Sequence, residues 1–152
     1  MAGRTGRPIV RPSAFWDASA LVPLCVRQSS TPHAIRFYQS YEVIVWWATP
    51  VEIASALARL VRMKQLGPAE WSDARRLARN LAANWSVIAP SNALRKSATD
   101  LVDNYDLRAA DALQLAAGLA WCENEPQDSV FLTLDQKLRE AALLRGFDAK
   151  QL

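Results

Sequence analysis

The chain is poor in the residues that most enzymes use to move protons or hold zinc. Its 152 residues include one histidine, His33, and two cysteines, Cys25 and Cys122. A single histidine in a polar, surface-type helical stretch argues against a Ser-His-Asp triad and against a histidine general base. The cysteines lie far apart in apolar helical sequence with no Cys-x-x-Cys, so no zinc spacing is present. Two reduced thiols in a cytoplasmic protein are the expectation. Although 51% of the residues are hydrophobic, no apolar run reaches the ~18 residues of a membrane span, and no membrane role is expected. Internal repeats, low-complexity segments and linkers are also missing, which leaves one domain over residues 1–152. The first residues carry Arg4, Arg7 and Arg11 with no apolar stretch behind them. They are read not as a secretory signal but as a mobile basic arm over residues 1–12.

What the chain does have is acid in apolar surroundings. Asp17 follows Phe15-Trp16, Glu52 sits in Thr49-Pro50-Val51-Glu52-Ile53-Ala54, Asp111 in Ala109-Ala110-Asp111-Ala112-Leu113, and Asp135 after Phe131-Leu132-Thr133-Leu134. A carboxylate among apolar neighbours is costly unless its charge is compensated. No matching set of Lys or Arg lies beside these four in sequence. A divalent cation shared between them would compensate the charge and supply chemistry.

Net charge is +3, from 18 Lys and Arg against 15 Asp and Glu. Arg59, Arg62, Lys64, Arg75, Arg76 and Arg79 crowd one segment, whereas Asp100 to Asp135 is acidic with Arg108 as its one base. A basic wall near an acidic pocket suits a polyanion held over metal ions, and a solvated surface would show the same pattern.

Hydrophobic patterning predicts strands at 13–16, 43–47, 85–89 and 130–134, with a short edge strand over 147–152. Helices are expected over 18–27, 31–41, 49–65, 69–84, 91–104, 107–121 and 136–145. Short apolar strands alternating with helices imply an α/β fold. The expected form is a three-layer α/β/α sandwich with a central, mainly parallel sheet of four or five short strands. The six tryptophans are mostly core candidates, and Trp71, in a charged helix, is a candidate protein contact.

In such sheets ligands bind beyond the carboxyl ends of the strands. Asp17 and Asp135 leave strands at that edge, and the helices bearing Glu52 and Asp111 begin near it, so the four acids can meet. Each has a plainer reading too. Thr49 to Glu52 forms a capping box. Asp17 and Asp135 precede helices and can act as N-caps. Asp111 is too deep in its helix to cap it, and its plainer role is a buried polar group bonded to a neighbour.

Together and in this order, the segments resemble the PIN-domain ribonucleases, in particular the VapC-type toxins of toxin–antitoxin pairs. The likeness runs from Ser13 to Leu152. It rests on Asp17-Ala18-Ser19-Ala20-Leu21-Val22, on Glu52-Ile53-Ala54-Ser55-Ala56-Leu57-Ala58-Arg59, on Ala109-Ala110-Asp111-Ala112-Leu113-Gln114-Leu115-Ala116, and on Leu132-Thr133-Leu134-Asp135-Gln136-Lys137-Leu138. The resemblance implies a PIN-like fold and a metal-dependent endoribonuclease that hydrolyses RNA phosphodiesters. Asp17, Asp111 and Asp135 would hold one or two Mg²⁺ or Mn²⁺ ions, with Glu52 as ligand or outer-shell base. Ser19 and Thr133 would orient ligands or waters, and a local helix-start hydrogen bond explains them equally well. Arg59 shares a helical face with Glu52 and either pairs with it or reaches a phosphate. Arg62, Arg75, Arg76 and Arg79 are looser RNA-backbone candidates. An antitoxin protein encoded nearby and a homodimer are implied as partners. The alternative is a non-catalytic RNA- or protein-binding module on the same scaffold. Two departures stand out: Gln114 replaces the histidine found in many members, and the basic arm is longer than usual. Both are expected to lie clear of the acidic set.

Overall fold

A computed structural model describes residues 10–152. The first nine residues of the expected basic arm lie outside the described residues. At its end, Arg11 pairs with Glu42 at 2.9 Å and donates to the Tyr38 carbonyl at 2.9 Å.

The elements are β1 (Ser13–Trp16), α1 (Ala18–Cys25), α2 (Thr31–Ser40), β2 (Glu42–Trp46), α3 (Thr49–Arg62), α4 (Pro68–Ala82) and β3 (Ser86–Ile88). They are followed by α5 (Asn92–Asn104), α6 (Ala109–Trp121), β4 (Val130–Thr133), α7 (Gln136–Arg145) and β5 (Asp148–Gln151). All five strands are parallel, in the order β3-β2-β1-β4-β5. This is the expected three-layer α/β/α sandwich, with a sheet that is wholly rather than mainly parallel.

Strand alternation builds the two outer layers. Ala14 and Trp16 of β1, Val43 and Val45 of β2, and Val130 and Leu132 of β4 pack under one layer, together with Leu21, Ile53, Leu57 and Ala74 from α1, α3 and α4. Phe15, Ile44, Trp46 and Phe131 point the other way, into a core shared with α5, α6 and α7. Because both faces are covered, the strands read as continuous apolar runs. Gly118 lets α6 lie close on the sheet: a Cβ there would stand 2.9 Å from the Phe131 ring. Gly146 ends α7 with φ at +105°, the left-handed conformation that glycine adopts without strain.

The topology creates the site. From β1 the chain winds outward through β2 to β3, then returns to lay β4 on the other side of β1. The winding therefore reverses between β1 and β4, and the helices that leave those two strands diverge. A crevice opens at the carboxyl edge of this switch point.

Several details differ from the sequence expectations. The second strand ends at Trp46, and Trp47 is 60% exposed rather than in the core, whereas Trp71, the candidate protein contact, is exposed at 41%. Helix α6 starts at Ala109 rather than at 107. Helix α3 takes Ala48 as its N-cap with no side-chain cap bond, so Thr49 and Glu52 form no capping box. Thr49 is wholly buried and Glu52 is turned to another partner.

Candidate active site

Asp17 is the first residue beyond β1 and is 4% exposed. Its backbone N–H donates to the Leu132 carbonyl at 2.9 Å, which ties the end of β1 to β4. Its Oδ2 accepts from the Ser19 hydroxyl, from the Thr133 hydroxyl at 2.8 Å and from the Ser19 N–H at 3.4 Å. Ser19 Oγ in turn accepts from the Leu134 N–H at 2.8 Å, and Thr133 Oγ1 from the Asp135 N–H at 3.0 Å. Both hydroxyl protons are thus spent on Asp17, and the two hydroxyls stitch β1 to β4 across the switch point. Asp135 caps α7 through Oδ1, which accepts from the Leu138 N–H at 2.8 Å.

Glu52, in the first turn of α3, and Asp111, in the first turn of α6, complete the set. All four carboxylates line one open cavity of about 530 Å³, with Ser19, Arg59 and Arg108 also on its wall. Burial pushes the Asp17 carboxyl above the ordinary carboxylate range, against the lowering effect of the Ser19 and Thr133 hydrogen bonds. Glu52 is pushed up to about 7, by burial first and then by the charge of Asp17, with Gln114 opposing and Asp111 adding a smaller push. Asp111 is pushed up to about 6 by burial, then by Asp135 and Asp17, while Arg108 opposes. Glu52 and Asp111 therefore feel the neighbouring acids as well as the loss of water.

The sequence-predicted residues separate cleanly. Asp17, Glu52, Asp111, Asp135, Ser19 and Arg59 share the cavity wall, and Thr133 supports it from beneath. Arg59 makes no ion pair within 4 Å among the described residues, so it is not locked onto Glu52. Arg62 is exposed beyond the wall at the end of α3. Arg75 and Arg79 line a separate cavity of about 110 Å³ beside Trp85, and Arg76 pairs with Asp73 at 2.8 Å.

Two residues named in the sequence analysis were not expected at the site. Arg108, the N-cap of α6, reaches the cavity wall; its signal was its position as the one base in an acidic stretch. Gln114 does not lie clear of the acidic set. It is fully buried, and its Nε2 donates to Glu52 Oε2 at 2.6 Å and to Thr49 Oγ1 at 3.2 Å.

Hard carboxylate oxygens from four elements around one cavity are the donor set that suits Mg²⁺ or Mn²⁺. As they stand, no three of them are gathered tightly enough to hold a single ion, a statement that holds for all Asp, Glu, His and Cys among the described residues.

No family model matches the chain, and no match appears among curated proteins. Solved structures do match. The chain is similar to a toxin–antitoxin complex from Klebsiella pneumoniae at 16% identity and a TM-score of 0.57, over 82% of this chain and 88% of that one. It is similar to PAE2754 from Pyrobaculum aerophilum at 20% identity and a TM-score of 0.63, over 92% of this chain and 89% of that one. FitAcB from Neisseria gonorrhoeae matches at 14% identity and a TM-score of 0.60, over 89% of this chain and 96% of that one. What these proteins share with the chain is the fold, the PIN-like three-layer sandwich.

Proposed function

We propose that the chain is a divalent-cation-dependent endoribonuclease and the toxin of a toxin–antitoxin pair. The observation that carries this reading is the convergence of Asp17, Glu52, Asp111 and Asp135, from four separate elements, on one cavity at the switch point. One of the fold neighbours is a toxin–antitoxin complex, which supports the biological role.

Asp17, Asp111 and Asp135 would hold Mg²⁺ or Mn²⁺, with Glu52 as a further ligand or as the base that takes a proton from the attacking water. A cation there acidifies bound water and offsets charge on the scissile phosphate. Ser19 and Thr133 keep Asp17 fixed by occupying one of its oxygens, so the other is the oxygen left to serve the cavity. Arg59 and Arg108 supply positive charge on the wall, where a phosphodiester must approach four acids.

The test is cleavage of RNA by the purified chain with Mg²⁺ or Mn²⁺, with and without chelator. Cutting should vanish with chelator and in Asp111→Asn, which exchanges a carboxylate for an isosteric amide. An Asp111→Asn protein that cuts as fast as wild type would refute the cation site. The acids stand apart as they are, which is the specific observation favouring a non-catalytic binding module instead. Calorimetric titration decides between the two readings, because the module takes up no Mn²⁺.

A further inference from the structure

Gln114 is an uncomfortable residue for the place it occupies. It sits in the second turn of α6, with no exposed surface, under the floor of the acid cavity. Its amide bridges two helices: Nε2 reaches Glu52 Oε2 at 2.6 Å and Thr49 Oγ1 at 3.2 Å, both on α3. Its other end is unprovided for, since Oε1 is buried and has no hydrogen-bond partner among the described residues. A buried amide oxygen without a donor is destabilising, and most folded proteins avoid one. Turning the amide over would give Oε1 the Thr49 hydroxyl but set it against a Glu52 oxygen, where two acceptors repel. The orientation with the orphan oxygen is the one that keeps an N–H on the carboxylate.

The orientation has a consequence at Glu52. A glutamate carries three rotatable bonds and swings freely at a cavity mouth. Here Oε2 is pinned from below by a fully buried donor, so Oε1 is the oxygen left to the cavity.

We propose that Gln114 is a positioning residue for cation binding, which holds Glu52 at the cavity through its Nε2–H and pays for this with an unpaired Oε1. The inference rests on the cation-site reading above and deepens it. It also separates two quantities that a merely structural residue moves together. An apolar side chain of similar length removes the orphan acceptor and fills the same space, while Glu52 is free to find water. The buried Thr49 hydroxyl loses its partner at the same time, so one orphan replaces another, stability changes little and cation affinity falls.

The test uses the whole chain, titrated with Mn²⁺ in the absence of RNA and followed in parallel by thermal unfolding. Gln114→Met should bind Mn²⁺ about 10–100-fold more weakly, the range typical when an outer-shell partner is removed, with a Tm close to that of wild type. Gln114→His retains an N–H donor and should keep most of the affinity, and it decides the matter alone if the methionine variant does not fold. Wild-type affinity in Gln114→Met would overturn the proposal. So would a Tm that drops together with affinity, or a loss of affinity in Gln114→His as deep as that in Gln114→Met. A wild-type chain that binds no Mn²⁺ sinks the cation site itself, and this inference with it.

Discussion

At the scale of single residues, the acids show that a capping role and a cavity role are not rivals. A carboxylate has two oxygens. Asp135 spends Oδ1 on the Leu138 N–H and still stands on the cavity wall. Asp17 collects its donors on Oδ2. The sequence offered capping and catalysis as alternatives because it does not show which oxygen is spent. Glu52 is the opposite case: the capping pattern Thr49 to Glu52 is present in the sequence, yet the helix starts one residue earlier and the carboxylate bonds to Gln114 instead. That contact joins residues 62 apart in the chain. No local pattern predicts it, and Gln114, noticed in the sequence only as a departure from the family pattern, was expected to lie clear of the acids. Thr133 is where the residue scale is most directly tested. Its hydroxyl donates to Asp17 at 2.8 Å and accepts from the Asp135 N–H at 3.0 Å, in a residue only 1% exposed. Thr133→Val keeps the shape and deletes both bonds. We expect it to lower stability by about 1–3 kcal/mol, the usual range for a buried polar group left unpaired, and to slow RNA cutting. An unchanged urea midpoint would show that Thr133 does not carry the stitch between β1 and β4.

At the scale of elements, the fold was largely legible because apolar runs and breakers mark its boundaries. Ser13–Trp16 and Gln136–Arg145 fall where the pattern puts them, and Gly146 stops α7 as expected. The errors sit at the ends. The strand expected over 43–47 closes at Trp46, since Trp47 lies beyond the cover of the flanking helices and so stays exposed. Helix α3 stops at Arg62, three residues short of the expected Gln65, and Lys64 turns to a positive φ of 58°. Packing between elements was less legible than the elements themselves. Gly118 reads as a mild blemish in a helix, about 1 kcal/mol worse than alanine by propensity alone. In the folded chain it is the point at which α6 meets the Phe131 ring and the edge of Phe147. Both rings are buried and tilted against each other at 56°, with centroids 5.2 Å apart, so neither has room to give way. Gly118→Ala should therefore destabilise rather than stabilise, by about 1–3 kcal/mol as overpacked cores do. A rise in Tm would mean that α6 lifts off the sheet at no cost. Because α6 also carries Asp111 and Gln114, the same variant should weaken Mn²⁺ binding even where it remains folded.

At the scale of the whole molecule, the cavity ties stability to proton uptake and, on the proposed function, to cation uptake as well. Glu52 and Asp111 titrate near 7 and 6 in the folded chain. In the unfolded chain such groups titrate near their ordinary values, about 4.3 for Glu and 3.9 for Asp. Between those limits the folded state binds more protons than the unfolded state. Linkage then requires stability to fall as pH rises. The contribution of these two acids is fully present below about pH 4 and is lost as pH climbs through 6 and 7. A cation held as proposed would reverse the sense, because it would bind the deprotonated carboxylates of the folded chain alone. Without divalent ions, Tm should fall from pH 5 to pH 8 once general effects are subtracted with the Glu52→Gln, Asp111→Asn double variant. With saturating Mn²⁺ the fall should disappear, and the increase in Tm on adding Mn²⁺ should grow with pH. These slopes distinguish a cation site from acids kept for folding. Acids retained for the fold would show hydrogen bonds that reward ionisation, a stability that rises with pH, and no response to Mn²⁺. If the double variant follows the same pH course as wild type, the coupling among the four carboxylates is not what governs this molecule, and their meeting at the switch point has no energetic consequence.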